Sequence, residues 1–286
     1  MSRFLDAFGE FMNAREHHMH RIAEYCEGGE IEQIQLSPAT PCQNIYSIAK
    51  VFTGAAVGML ADRGLLSTDD TVVELLGDLC PVSYNRLWKE TTVHMLLTHH
   101  VGLPKGFMDI DCIDANTFGD DYLAYVMNHP LREDHGTQYC YTDASHYLLS
   151  CIVENLTGMP LDNFLWKELF HPLAFRDAAW SRCPKGHVIG STGLHLRVED
   201  MIKLGALYLQ GGVWQGKRLL SEKWVETVFA KQYEFAPIGI GSICQKGGML
   251  GQKLMIMPEQ RRVVAWQAAD GMGQEDIKQF LAQYLG

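Results

Sequence analysis

Asn44-Ile45-Tyr46-Ser47-Ile48-Ala49-Lys50-Val51-Phe52-Thr53-Gly54-Ala55-Ala56-Val57-Gly58-Met59-Leu60 is the most informative stretch of this 286-residue chain. From Ser47 onward it reads as a helix that is apolar on nearly every face, a pattern that predicts burial. Asp62-Arg63-Gly64 closes it, with Gly64 suited to the left-handed position after a helix. Gly54 and Gly58 lie four apart and are expected to let another element pack close. Ser47 opens the segment, and Lys50, three residues on, falls on the same helix face. An apolar setting disfavours a lysine's charged form. A neutral amine beside a hydroxyl can take its proton and leave a usable nucleophile. The free N–H groups of a helix N-terminus favour a developing oxyanion at Ser47. Taken alone, S-x-x-K is frequent by chance. Its ordinary reading is Ser47 as an N-cap and Lys50 snorkelling to solvent.

Outward from this helix the pattern changes type. Upstream, a polar amphipathic helix (about Arg3–Glu16) precedes a hairpin with arms His20–Cys26 and Glu30–Leu36 around Glu27-Gly28-Gly29. The second arm alternates with period two. From about Leu66 to Trp180 the chain reads helix after helix, punctuated by Pro and Gly. Beyond Gly190, helices are expected at Val198–Leu209 and near Ser221–Ala230. Short apolar runs at Ile238–Cys244, Lys253–Met257 and Arg262–Gln267 read as strands. Gln274–Leu285 closes as an amphipathic helix. Strands at both ends with helices between predict one sheet built from the two termini: an α/β domain of residues 1–66 and 181–286 and a helical domain of residues 67–180. A cleft between lobes is a common place for a site.

Three further segments share the informative stretch's context. They are Val93-His94-Met95-Leu96-Leu97-Thr98-His99-His100-Val101-Gly102-Leu103-Pro104, Tyr141-Thr142-Asp143-Ala144-Ser145-His146-Tyr147-Leu148-Leu149, and Gly193-Leu194-His195-Leu196 with Asp200–Gly205 and Gly212–Leu220. With S-x-x-K they resemble, in order, the motifs of the serine β-lactamase and penicillin-binding-protein superfamily. The class C β-lactamase, D-aminopeptidase and esterase branch is the most similar. His100-Val101 departs from the Thr-Ser of that branch's L-L-T-H-T-S-G-L-P segment. The resemblance implies α/β plus all-α architecture, with a mostly antiparallel sheet flanked by helices and an inserted helical lobe. It also implies that Ser47 is the nucleophile and Lys50 its base, with Tyr141 shuttling the proton to the leaving group.

Asp143 stands where the family carries the amide or carboxylate of its Y-x-N element, often Y-S-N or Y-S-D, and it is also a good N-cap for the helix after it. An acid there brings a charge that an anionic substrate would feel. The family's K-T-G or H-x-G strand has its counterpart in Cys244-Gln245-Lys246-Gly247-Gly248. Aligned on the glycines, Gln245 takes the Lys or His position; with a one-residue bulge, Lys246 does. Gly247 and Gly248 suit a strand where substrate backbone comes close. An N–H near Gly248 is expected to be the second oxyanion donor beside that of Ser47. Gln245 carries no charge, and neighbours on a strand face opposite sides, so weak recognition of a substrate carboxylate is expected. The expectation is therefore an esterase or amidase working through an acyl-enzyme on Ser47. The alternatives are a true β-lactamase or D-alanyl carboxypeptidase, and a catalytically silent binding protein.

Composition narrows the partners. Lys plus Arg is 24 and Asp plus Glu is 34, a net charge of −10. An acidic balance argues against nucleic acid and anionic membranes. No run of about 18 apolar residues predicts a membrane span. The acidic N-terminus lacks a signal-like apolar core, so a cytoplasmic location is expected, with the eight cysteines reduced and mostly buried. The expected partner is a small ester, amide or β-lactam, with no metal or cofactor. Gly211–Arg218 fits G-x-x-x-x-G-K but ends in Arg and follows a helix, so a phosphate loop is not expected. His17, His18 and His20 lack further ligands and read as a solvated face. Asn155-Leu156-Thr157 is a sequon that a cytoplasmic chain would not use.

Overall fold

The hairpin near the start of the chain and the apolar runs near its end pair into one sheet. The computed structural model describes residues 3–14, 18–270 and 274–285. Its helices are α1 (Arg3–Asn13), α2 (Ala49–Asp62), α3 (Val72–Leu76), α4 (Val93–Leu97), α5 (Tyr122–Asn128), α6 (Ala144–Thr157), α7 (Leu161–Leu165), α8 (Val198–Leu209), α9 (Glu222–Ala230) and α10 (Gln274–Leu285). Its strands are β1 (Met19–Cys26), β2 (Ile31–Gln35), β3 (Gln43–Asn44), β4 (Ala178–Trp180), β5 (Leu194–Leu196), β6 (Val213–Trp214), β7 (Lys217–Arg218), β8 (Ala236–Pro237), β9 (Cys244–Gly247), β10 (Lys253–Met257) and β11 (Arg262–Ala268). The expected first helix reaches only Asn13 as described; Glu16 and His17 lie outside the described residues. Packing divides the chain into one unit of Met1–Ile48, Pro172–Ala179 and Leu194–Gly286 and another of Ala49–His171 and Trp180–Gly193.

In the first unit six antiparallel strands run in the order β2-β1-β11-β10-β9-β8. β10 and β11 read as nearly continuous apolar runs because both faces are covered. Met255, Met257, Val264 and Trp266 join Phe4, Phe8, Ile277 and Phe280 of α1 and α10 in one core cluster. On the other face α8 packs on β1, β10 and β11. Gly205 lets it approach: a Cβ there would lie 2.5 Å from Val263 and 3.0 Å from Leu254. Each large side chain buried in these layers contributes about 1.5–3 kcal/mol.

The expected strand Ile238–Cys244 does not form. Gly239 at φ 82° and Gly241 at φ 49° turn the chain, and Ile238 N–H donates to Ile243 O at 3.1 Å. Ile238 and Ile243 are apolar because they bury in the core cluster as a loop. The G-x-x-x-x-G-K segment forms the β6–β7 hairpin, with no helix after the lysine.

In the second unit α6 is the central helix, with α2, α3, α4 and α7 packed on it. The seam falls before α2 rather than at residue 66, because α2 packs against α6 and α7. Residues 180–193 join the helices because Gly190 abuts α6: a Cβ there would come 2.5 Å from the His146 carbonyl oxygen. α2 is buried from Ala49 to Leu60, as an all-round apolar helix requires. Gly54 is not a close-approach point, since a Cβ there would meet nothing within 4 Å. All eight cysteines are free thiols, but only Cys140, Cys151, Cys183 and Cys244 are buried. Among the described residues no helix is long and apolar enough to cross a membrane.

Candidate active site

The nucleophile candidate sits on a strained turn. Ser47 lies in a 3-10 turn, Tyr46–Ile48, that runs directly into α2. Tyr46 holds φ at 49°, a left-handed value that costs a non-glycine residue energy. Its N–H donates to Asn44 Oδ1 at 2.9 Å, and Ile45 N–H donates to Leu194 O at 2.9 Å, which fixes the turn to β5. Ser47 is half-buried. Strand β9 packs beside this turn. A Cβ on Gly248 would lie 2.7 Å from Ile45 O, so only glycine allows this approach.

The β9 motif resolves into two faces. Lys246 lies opposite Leu254 and Gln245 opposite Met255. Leu254 faces α8, whereas Met255 belongs to the α1–α10 cluster. Lys246 therefore shares the α8 face and Gln245 the other, by strand alternation. The Lys246 ammonium pairs with Glu234, both nearly buried. Gln245 is buried, and its Oε1 accepts no hydrogen bond. The Gly248 N–H, expected as an oxyanion donor, instead donates to Gln252 O at 2.8 Å within the β9–β10 turn. The next amide, Met249, has no hydrogen-bond partner among the described residues.

The helical unit gathers the remaining candidates. Lys50 is fully buried, yet it does not snorkel. Its ammonium reaches Asp143 Oδ1 at 2.6 Å and Ser191 O at 3.0 Å, with side-chain exposures of 0% and 5% for the pair. Its Nζ also lies 4.8 Å from the Tyr141 ring centroid. One turn along, Thr53 Oγ1 donates to Gly190 O at 2.7 Å, which holds the carbonyl-bearing segment against α2. Asp143 does not cap α6: it has helical dihedrals and makes no capping bond. Thr142 takes that place, its Oγ1 accepting from Ala144 N–H at 3.2 Å and donating to Phe107 O at 2.6 Å. Asp143 is thereby left for Lys50.

His99, Asp109, Asp111, His146 and Thr192, around this pair, carry no role from the sequence. The His99 ring stands 4.6 Å from Tyr141 and 5.4 Å from His146. His99 was visible only as part of the Leu96–Pro104 segment. Asp111 accepts from Thr192 Oγ1 at 2.5 Å. Burial raises the Asp111 pKa above the usual carboxylate range; the Thr192 bond opposes this, while the charges of Asp143 and Asp109 add to it. Carboxylate oxygens of Asp109, Asp111 and Asp143 all lie within 4.8 Å of one another. Within this group Asp143 binds Lys50 and Asp111 binds Thr192. His18 and His20 bind Asp270 and Gln43 respectively and do not share a ligand.

A family model described as Beta-lactamase matches residues 32–278. A curated relative, 6-aminohexanoate-dimer hydrolase of Paenarthrobacter ureafaciens, is 27% identical over 199 residues, which are 65% of this chain and 50% of that protein. The chain thus spans about half the length of this relative. Among solved structures, a penicillin-binding protein homologue from Caulobacter crescentus superposes with a TM-score of 0.75 at 16% identity, covering 99% of this chain and 98% of that one. A D-stereospecific amidohydrolase from Streptomyces sp. gives 0.71 at 15% identity, covering 98% and 99%. At these identities the structural likeness is one of fold.

Proposed function

The chain belongs to the β-lactamase family, and on that premise we propose that it is a serine hydrolase cleaving an ester or amide bond through an acyl-enzyme on Ser47. The observation that carries this reading is the Lys50 environment. A fully buried lysine three residues after a serine on a strained turn is held by two acceptors, Asp143 and Ser191 O. A neutral Lys50 amine donates a hydrogen to each of them and keeps its lone pair for the Ser47 proton. Ser47 Oγ then attacks the substrate carbonyl carbon. The oxyanion is held by the N–H groups of Ser47 and, in place of Gly248, Met249. Tyr141, in contact with Lys50 through its ring, passes the proton to the leaving group. Water releases the acyl group by the reverse path.

The charge of the site favours substrates without a carboxylate. In the helical unit Asp109, Asp111 and Asp143 lie together, and in the sheet unit the Lys246 cation is already paired with Glu234. A substrate carboxylate would have to displace Glu234 to gain Lys246. The name of the Paenarthrobacter relative, a hydrolase of an amino-acid dimer, agrees with an amide or ester rather than a β-lactam. A β-lactamase or D-alanyl carboxypeptidase is the second reading, carried by the Lys246 cation on the glycine-bearing strand β9 that packs beside the Ser47 turn. A panel of p-nitrophenyl esters, amino-acid amides and nitrocefin tests the two. Turnover of neutral esters or amides, lost in Ser47→Ala, is expected. Efficient nitrocefin hydrolysis that is lost in Lys246→Ala would favour the second reading.

A further inference from the structure

We infer that Asp143 is a positioning residue that sets the protonation of Lys50, and so sets the pH at which Ser47 becomes a nucleophile. This rests on the reading of Ser47 and Lys50 above and adds to it. Burial by itself would drive Lys50 toward the neutral amine. The contacts oppose that. Two groups that Nζ meets, Asp143 Oδ1 at 2.6 Å and Ser191 O at 3.0 Å, are acceptors. A carboxylate in direct contact favours the ammonium.

The surrounding groups act in the same direction. From the 105–112 loop come Asp109 and Asp111, whose oxygens gather with those of Asp143. Asp111 is near enough to Lys50 for each to feel the other's charge. From α6 and the residues before it come Tyr141 and His146, and from the residue after α4's cap comes His99. The two imidazoles add positive charge only when protonated, below the range in which a lysine titrates. From residues 188–193 come the Ser191 carbonyl and Thr192, both uncharged. Lys50 thus touches the Asp143 carboxylate, beside which those of Asp109 and Asp111 gather. The resting pair is Lys50 ammonium with Asp143 carboxylate. One proton must leave to solvent before Lys50 can receive the Ser47 proton. The activity of the native protein therefore rises into the alkaline range.

The test is the rate of Ser47 labelling by a fluorophosphonate as a function of pH, in wild type, Asp143→Asn, Asp143→Glu and Asp111→Asn. Asp143→Asn is expected to move the acidic limb toward lower pH by about one to three units. At neutral pH it then labels at a larger fraction of its own plateau rate than wild type does. Asp143→Glu restores the wild-type limb, and Asp111→Asn moves it the same way by less. A limb that stays in place or moves upward in Asp143→Asn, with Ser47 still labelled, overturns the inference. If wild-type Ser47 is never labelled, the acyl-enzyme reading fails instead. In that case an NMR titration of the Lys50 side chain still decides the charge question. A Lys50 midpoint that does not fall in Asp143→Asn or, should that variant not fold, in Asp111→Asn contradicts it.

Discussion

Ser47, Lys50, Tyr141 and Asp143 stand out in the sequence because each falls in a short ordered motif, yet the partners of Asp143 do not. An aspartate at a helix start is an N-cap by default, and only the packing shows Thr142 taking that task while Asp143 turns to Lys50. Asp111 was unreadable for a similar reason: its bond to Thr192 spans 81 residues. It also makes a stability prediction. Its carboxyl binds a proton more tightly folded than unfolded, since burial raises its pKa. Such a group favours the fold at acid pH, and that contribution is lost as pH rises through the folded value. Asp111→Asn should therefore raise thermal stability at neutral pH and have no such benefit at acid pH. Discounted for partial exposure, the gain is under about 1 kcal/mol. Melting curves of both proteins at the two pH values check this; a gain that is greatest in acid would contradict it.

At the scale of elements, helices with strong periodicity read true: Val198–Leu209 and Gln274–Leu285 form as expected. Lys253–Met257 is a strand because both faces find apolar layers. Ile238–Cys244 misled because burial and extension give the same apolar run, and Gly239 and Gly241 decide for a turn. The contact that sets the Lys50 pocket has no sequence signature. It is the approach of residues 188–192 to α6 and α2, permitted by Gly190 at φ 71°. Gly190→Ala places a Cβ 2.5 Å from a backbone oxygen, and should cost at least about 1–3 kcal/mol. Thr53→Val leaves the Gly190 carbonyl without its donor, for a loss of about 1–3 kcal/mol. Denaturant melts of the two variants measure both; wild-type stability in either would show that this segment does not depend on these contacts.

Over the whole molecule, the α/β and helical content and the antiparallel sheet from the two termini were readable, because strand runs cluster at the ends and helices between. The boundary between units was not, since α2 reads equally well in either until its contacts with α6 and α7 are seen. The Lys246–Glu234 pair was likewise hidden, and it carries a prediction about both stability and substrate. Lys246→Ala removes the ammonium paired with Glu234, which is 4% exposed, at about 3–5 kcal/mol. Lys246→Met with Glu234→Gln should lose much less, by urea melts, and still prefer neutral esters to their carboxylate analogues. A double variant as unstable as the single one would rule out the buried charge as the cause. The central claim is that Ser47 carries the acyl group, and intact-mass analysis after fluorophosphonate treatment tests it most directly. A single adduct on the Ser47 peptide of the wild type, absent from Ser47→Ala, is the predicted result; an adduct retained in Ser47→Ala, or found on another residue of the wild type, would contradict it.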